Sequence, residues 1–143
     1  DPSGVRLRRW LGIDETVFYD PARVAVVPMG FCFPGQDAKG GDLPPRRECA
    51  PTWHARVFAA MPQIELVLAI GRYAQDWHLG DQKGRDLTAI VADWRALLDR
   101  PAMPRVLPLP HPSWRNNAWL RRNPWFESEL VPVLQREVAR LIA

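Results

Sequence analysis

Short apolar segments alternate with amphipathic ones along this chain, and that alternation constrains its fold more than any other feature. Residues 23–29, 64–71 and 105–109 are rich in Val, Ile and Leu and have the length of buried strands. Residues 86–98 carry apolar side chains at helical spacing. Gly71 ends the second apolar segment and opens a helical one directly, which is the turn used in parallel sheets. We therefore predict an α/β fold, a three-layer α/β/α sandwich with a short, mainly parallel central sheet.

The length and charge of the chain indicate its broad class. The 143 residues suffice for one domain with a full core, and we expect a single domain over residues 1–143. The formal net charge is +3, a mildly basic balance that permits a polyanionic partner such as nucleic acid without requiring one. We expect the protein to be a monomer.

The cysteine content and the hydropathy exclude several other classes. The chain holds two cysteines, Cys32 and Cys49, without a CxxC pair, which favours free thiols in a reducing cytoplasm. No run approaches the roughly 20 apolar residues of a membrane helix, so we expect no membrane partner. A metal site combining the cysteines with His54 and His111 matches no zinc spacing, so we predict no metal.

Three loops are expected to meet at one edge of the predicted sheet. Sites in parallel α/β sheets form where the strands end, at their carboxyl termini. The loops that follow the three predicted strands are residues 29–36, 71–73 and 110–117. This arrangement places His111 beside Met29, Gly30 and Phe31 and predicts a site there.

The stretch PLPHPSWRNN, residues 108–117, contains the most distinctive of these side chains. Pro110 and Pro112 flank His111 and stiffen its backbone, because proline fixes its own φ and restricts the residue before it. A fixed imidazole can donate a hydrogen bond to an oxygen on which charge develops during a reaction. A lone histidine after a strand is also compatible with an ordinary turn or with core packing.

The residues after this histidine suggest contact with nucleic acid. Trp114 and Arg115 can wedge into a base stack, and Arg115, Arg121 and Arg122 can contact phosphates. Ser113 can bind a phosphate or its own backbone. A solvated helix face is the alternative explanation for the three arginines.

Aromatic and histidine side chains elsewhere leave two interpretations open. Phe31 and Phe33 can stack on a planar ligand or pack beneath their own loop. His54 and His78 lie in predicted helices, where structural roles are favoured.

Four segments of the chain resemble the uracil-DNA glycosylase superfamily, in the order expected for it. HPSWRN resembles the HPSPRN loop of its single-strand-selective members, with Trp114 where the similar loop has proline. LVLAIGRYA resembles the strand–glycine–helix segment, and GGDLPPRRECAPTWH resembles the loop before a cysteine-containing helix. DPSGVRLRRWLG resembles the segment that follows the first active-site motif.

The resemblance implies a DNA repair enzyme that flips a damaged base out of DNA and hydrolyses its bond to the sugar. By the matching motif, His111 would be catalytic, donating a hydrogen bond to the base as negative charge grows there. Met29, Gly30 and Phe31 would line the base pocket. The resemblance assigns DNA contacts to Ser113, Trp114 and Arg115, in addition to the phosphate contacts expected of Arg121 and Arg122.

Three differences from the superfamily pattern qualify these expectations. A Gly-x-x-Pro-Gly motif should precede DPSG, so we expect this domain to lack its N-terminal strand and first active-site motif. Many members carry an asparagine that reads uracil where this chain has Pro28, Met29 and Gly30, which leaves uracil and other damaged bases as candidates. Two cysteines cannot hold an iron–sulfur cluster, so no cofactor is expected.

Two further functions remain as alternatives. One is a non-catalytic nucleic-acid-binding relative with the same fold, and the other is a nucleoside hydrolase that acts on free nucleosides.

Asp37 and Asp42 are the carboxylates nearest the predicted pocket, where either can position water or serve the loop structure.

Overall fold

The computed structural model describes residues 1–143 and contains eight α-helices around a two-stranded sheet. The helices are α1 (Pro2–Leu11), α2 (Glu15–Phe18), α3 (Cys49–Ala59), α4 (Gly71–His78), α5 (Leu87–Ala92), α6 (Trp94–Leu98), α7 (Asn117–Arg122) and α8 (Val131–Ile142). The strands are β1 (Leu66–Ile70) and β2 (Arg105–Leu109), which pair in parallel from Leu66 opposite Arg105 to Ile70 opposite Leu109. The predicted α/β class and the parallel pairing are confirmed.

Apolar side chains cover both faces of the sheet, as the layered architecture requires. Leu107 and Leu109 are fully buried in the main core together with side chains from α1, α6 and α8. Val106, which precedes Leu107 in β2, packs against a smaller cluster that contains Leu79 and Leu97. Because alternate residues of β2 enter two clusters, the sheet is the middle of three layers.

The segment at 23–29 differs from the prediction. Its apolar run predicts a third strand, but the structure has no strand there, and Val26 is 70% exposed. Val24 through Met29 line one wall of a cavity whose opposite wall includes Leu66 and Leu68 of β1. The cavity separates this segment from the free edge of β1, so the two do not pair, and an apolar run alone does not bring two strands within hydrogen-bonding distance.

The helical segments differ from the sequence pattern in their details. The amphipathic stretch 86–98 is divided at Asp93 into α5 and α6, which still bury Val91, Trp94 and Leu98 in the main core. Pro132 lies in the first turn of α8, where its missing N–H is tolerated. A π-helical turn over Phe126–Leu130 precedes it.

Candidate functional site

Gly71 and Gln75 shape the carboxyl edge of the sheet. Gly71 has φ +82°, a left-handed conformation that glycine adopts without strain, and this lets α4 begin directly after β1. Four residues later, the buried Gln75 amide donates to the carbonyl oxygens of Ala69 (3.2 Å) and Leu109 (3.0 Å). One side chain thus joins the carboxyl ends of both strands. It also fixes the start of the loop that carries His111.

Side chains from two other elements hold the rest of this loop. The Arg6 guanidinium of α1 donates to the carbonyl oxygen of Ser113 (3.2 Å) and to the Asn117 side-chain oxygen (2.7 Å). The Asn116 amide donates to the carbonyl oxygen of His111 (2.7 Å). The loop is therefore fixed from both sides, and its histidine is held on a rigid support.

The hydrogen bonds of His111 determine which ring nitrogen carries the proton. The backbone N–H of Ser113 lies 3.1 Å from Nδ1 of His111. A backbone N–H can only donate, so Nδ1 is the acceptor and a neutral ring carries its proton on Nε2. No protein group accepts from Nε2, which leaves this N–H free to donate to a ligand.

The position of His111 also favours its neutral form. The residue is exposed at the rim of the cavity, but partial burial of the ring lowers its pKa below the ordinary value of 6.5. The ring is therefore neutral at neutral pH. A neutral imidazole that donates through Nε2 can stabilise a developing anion without first losing or gaining a proton.

We expect the His111 ring to titrate below pH 6.5 in the folded protein and to show the Nε2–H tautomer at neutral pH. Because the unfolded chain then binds a proton before the native state does, the free energy of unfolding increases with pH between the folded pKa and about 6.5. Imidazole nitrogen NMR across a pH series measures the titration, with His111→Gln used for assignment. A midpoint at or above 6.5, or an Nδ1–H tautomer, would contradict this geometry.

A mostly apolar cavity of about 460 Å³ lies against the free edge of β1 and extends to His111. Helices above and below the sheet contribute to its walls, including Leu7 and Leu11 of α1 and Ala74 of α4. Met29 lines the cavity as well, so the structure places Met29 and His111 on one cavity. Its size and apolar lining are typical of a small-molecule or base pocket.

The other two predicted pocket residues lie outside this cavity lining. Gly30 packs against Pro45, where a Cβ atom would meet the Pro45 ring at 3.3 Å. Phe31 packs against the ring of buried His54, whose Nε2 lies 2.9 Å from the carbonyl oxygen of Pro28. His54 thus anchors the segment that leads to Met29, in agreement with the structural role favoured from the sequence.

The predicted nucleic-acid contacts lie on the outside of the loop and on α7. Trp114 is 67% exposed, and the Arg115 guanidinium carbon lies 5.5 Å from the centre of its ring. Arg121 and Arg122 are exposed in the last turn of α7 and make no salt bridge. The Ser113 hydroxyl accepts from the backbone N–H of Arg115 (3.2 Å), so this oxygen serves its own loop. These groups form a basic, aromatic rim beside His111.

The carboxylates considered as water-positioning groups are absent from the cavity lining. Asp37 accepts from the backbone N–H groups of Lys39 and Gly41 and therefore stabilises a turn. Asp42 is exposed beside that turn, in an isolated bridge with Gln36.

No group of three or more His, Cys, Asp or Glu side chains is arranged to hold a metal ion. None of the helices has the length and hydropathy needed to cross a bilayer.

A comparison with known protein families gives a match over most of the chain. The sequence model of the uracil DNA glycosylase superfamily matches residues 1–135, which is nearly the whole chain. The match includes β1, the Gly71 turn, β2 and the loop that carries His111. The fold is thus that of glycosylases related to DNA repair, and the chain belongs to the uracil DNA glycosylase superfamily.

Proposed function

We propose that this protein is a DNA glycosylase that hydrolyses the N-glycosidic bond of uracil or another damaged base flipped out of DNA. One observation carries the proposal. His111, on a loop fixed by Gln75, Arg6 and Asn116, presents a free Nε2–H at the rim of an apolar cavity. A donor fixed in this way can serve a leaving base whose oxygen becomes negative as its bond to the sugar breaks.

The proposed reaction needs no cofactor. The bond between C1′ of the sugar and the base nitrogen breaks, and its electron pair leaves with the base, so the sugar becomes oxocarbenium-like. The Nε2–H of His111 donates to the base oxygen as this charge grows. Water then adds to C1′, and its proton leaves for the base anion or the solvent. The products are a free base and an abasic site.

The rim residues support binding to a DNA strand around the flipped nucleotide. Arg115, Arg121 and Arg122 have no acidic partner, so they are available to phosphates. Exposed Trp114 can fill the space that the flipped base leaves, as apolar wedges do in proteins that unstack DNA. The wedge and the donor lie three residues apart on one rigid loop.

The proposal is tested by incubating the protein with an oligonucleotide that contains one uracil and measuring alkali-labile abasic sites. Formation of abasic sites supports a glycosylase, and oligonucleotides with other damaged bases extend the test if uracil is not released. Salt-dependent DNA binding without release of any base would favour the non-catalytic relative. Turnover of free nucleosides without DNA affinity would favour a nucleoside hydrolase.

We expect Arg6→Lys to slow base release about 10-fold, because a misplaced catalytic group costs rate even when it remains present. A lysine cannot reach Ser113 and Asn117 with a planar fork. Single-turnover rates of abasic-site formation measure the effect.

Arg9→Lys is the matched control for Arg6→Lys. Arg9 lies on the same helix, its side chain is 65% exposed, and its ion pair with Glu127 faces solvent. We expect this variant to stay within about twofold of the parent rate, because exposed pairs contribute little. Equal rates for the two variants would show that Arg6 does not position the loop.

A further inference from the structure

The apolar wall of the cavity contains one polar side chain that the proposed chemistry does not use. Among the side chains that line the cavity, only those of Arg23, His78 and His111 carry nitrogen or oxygen atoms. The Arg23 guanidinium lies 3.4 Å from the Asp20 carboxylate, so its charge already has an anionic partner. His111 serves the leaving base in the proposed reaction. His78 is therefore the polar group of the wall that has no role in that reaction.

The end of α4 places His78 in the cavity wall. Ala74 and His78 are four residues apart on this helix, so they share one face, and both line the cavity. The centre of the His78 ring lies 5.5 Å from that of Phe58 and 6.1 Å from that of His54. Its nitrogen atoms make no hydrogen bond within the protein, and the residue is only partly buried. The ring is thus held by packing, and its nitrogen atoms are available to a ligand.

The surroundings of His78 keep its ring neutral and favour one tautomer. Burial in the apolar wall, and to a smaller degree the neighbouring His54, lower the pKa of His78 below its ordinary value of 6.5. Nε2 of His54 donates to the carbonyl oxygen of Pro28, which leaves Nδ1 of His54 as a buried acceptor without a partner. This lone pair favours the His78 tautomer whose N–H is nearer to it. The other nitrogen of His78 then keeps its lone pair for a ligand.

We propose that His78 is a specificity-determining residue that accepts a hydrogen bond from a ring N–H of the base in the cavity. His111 and His78 come from different elements, the loop after β2 and the end of α4, so they can contact two different polar groups of one base. This proposal rests on the proposed function for its substrate, but it concerns which base the cavity accepts and not how the bond breaks.

Uracil offers a matching pair of groups to the two histidines. One of its carbonyl oxygens can accept from the His111 donor, and the adjacent N3–H can donate to the His78 acceptor. Cytosine has a bare nitrogen at that position, so its lone pair would face the lone pair of His78. The same contact therefore favours uracil and disfavours cytosine.

Folding stability does not account for a histidine at this position. A polar ring without a hydrogen bond in an apolar wall stabilises the fold less than an apolar side chain of similar size. We expect His78→Leu to have a melting temperature equal to or above that of the parent. A loss of activity in this variant would then report a lost contact with the base and not unfolding.

Uracil and N3-methyluracil, each placed in the same oligonucleotide, test the proposal, because the methyl group replaces the hydrogen that His78 would accept. The ratio of kcat/KM for the two bases is measured from rates of abasic-site formation at subsaturating protein. We expect the parent protein to prefer uracil by at least about 10-fold. His78→Leu should lower kcat/KM for uracil about 10-fold to 100-fold and bring the ratio close to one.

Two further variants serve as controls. His78→Asn keeps a side-chain acceptor, so we expect it to recover part of the preference for uracil. Met61→Leu changes an apolar residue of the same wall at nearly constant volume, so we expect the ratio of the parent. Thermal unfolding confirms that each variant is folded.

Three results would overturn the assignment of His78 and leave the proposed function standing. The first is that His78→Leu keeps the preference of the parent for uracil. The second is that the parent releases uracil and N3-methyluracil equally well. The third is that the parent releases other damaged bases but not uracil. A parent protein that releases no base from DNA would overturn both proposals.

Discussion

We expect His111→Ala to lower the rate of base release by about 100- to 1000-fold, which corresponds to the loss of one fixed donor to a developing anion. The side chain is exposed at the cavity rim, and its one hydrogen bond within the protein is the contact between Nδ1 and the Ser113 N–H. Its removal should therefore affect the chemistry far more than the stability. Single-turnover rates of abasic-site formation with excess protein measure the chemical step.

Two comparisons make this result specific for the donor. His111→Gln keeps a side-chain N–H, so we expect it to recover part of the rate that His111→Ala loses. The melting temperature of both variants should stay close to that of the parent. A His111→Ala variant with the parent rate, or one that loses its rate only because it unfolds, would argue against a catalytic His111.

The second large effect is expected at Gln75, where substitution by leucine should lower the free energy of unfolding by about 2–3 kcal/mol. Leucine has a similar size but leaves the carbonyl oxygens of Ala69 and Leu109 without their donor in a buried setting. Loss of the Gln75 Oε1 atom, which is buried without a partner, offsets part of this cost. Denaturant unfolding measures the change.

Gln63→Leu provides the control for this substitution. Gln63 is exposed and its side chain makes no hydrogen bond, so we expect a change within about 0.5 kcal/mol. Similar values for the two variants would show that the Gln75 amide does not join the strand ends in solution.

Much of the sheet and its carboxyl edge could be predicted from the sequence because the signals there are local. The short apolar runs at β1 and β2 each specify their structure within a few residues, and so does the glycine that turns β1 into α4. The HPS stretch likewise indicated a stiff histidine. The segment at 23–29 has the same kind of local signal but forms no strand. A strand must pair with a neighbouring strand, and whether one lies close enough depends on long-range contacts that a local apolar run does not specify.

The supports of His111 were not predictable from local patterns. Arg6 and Ser113 are 107 residues apart in sequence, and an arginine on a helix is usually interpreted as solvent-exposed. The resemblance of DPSGVRLRRWLG to a family segment was the only signal for Arg6. Gln75 appears in the sequence as an ordinary polar residue of a short helix, and only the parallel pairing of β1 with β2 brings both carbonyl oxygens within its reach.

The central claim is that His111 stabilises the departing base through its Nε2–H, and a change of leaving group tests it most directly. Base-release rates are compared for oligonucleotides with uracil and with 5-fluorouracil, a base whose anion is intrinsically more stable. Our account predicts that His111→Ala loses much less rate with 5-fluorouracil than with uracil, because the better leaving group needs the donor less. An equal loss with both bases, or no release of either base by the parent protein, would contradict it.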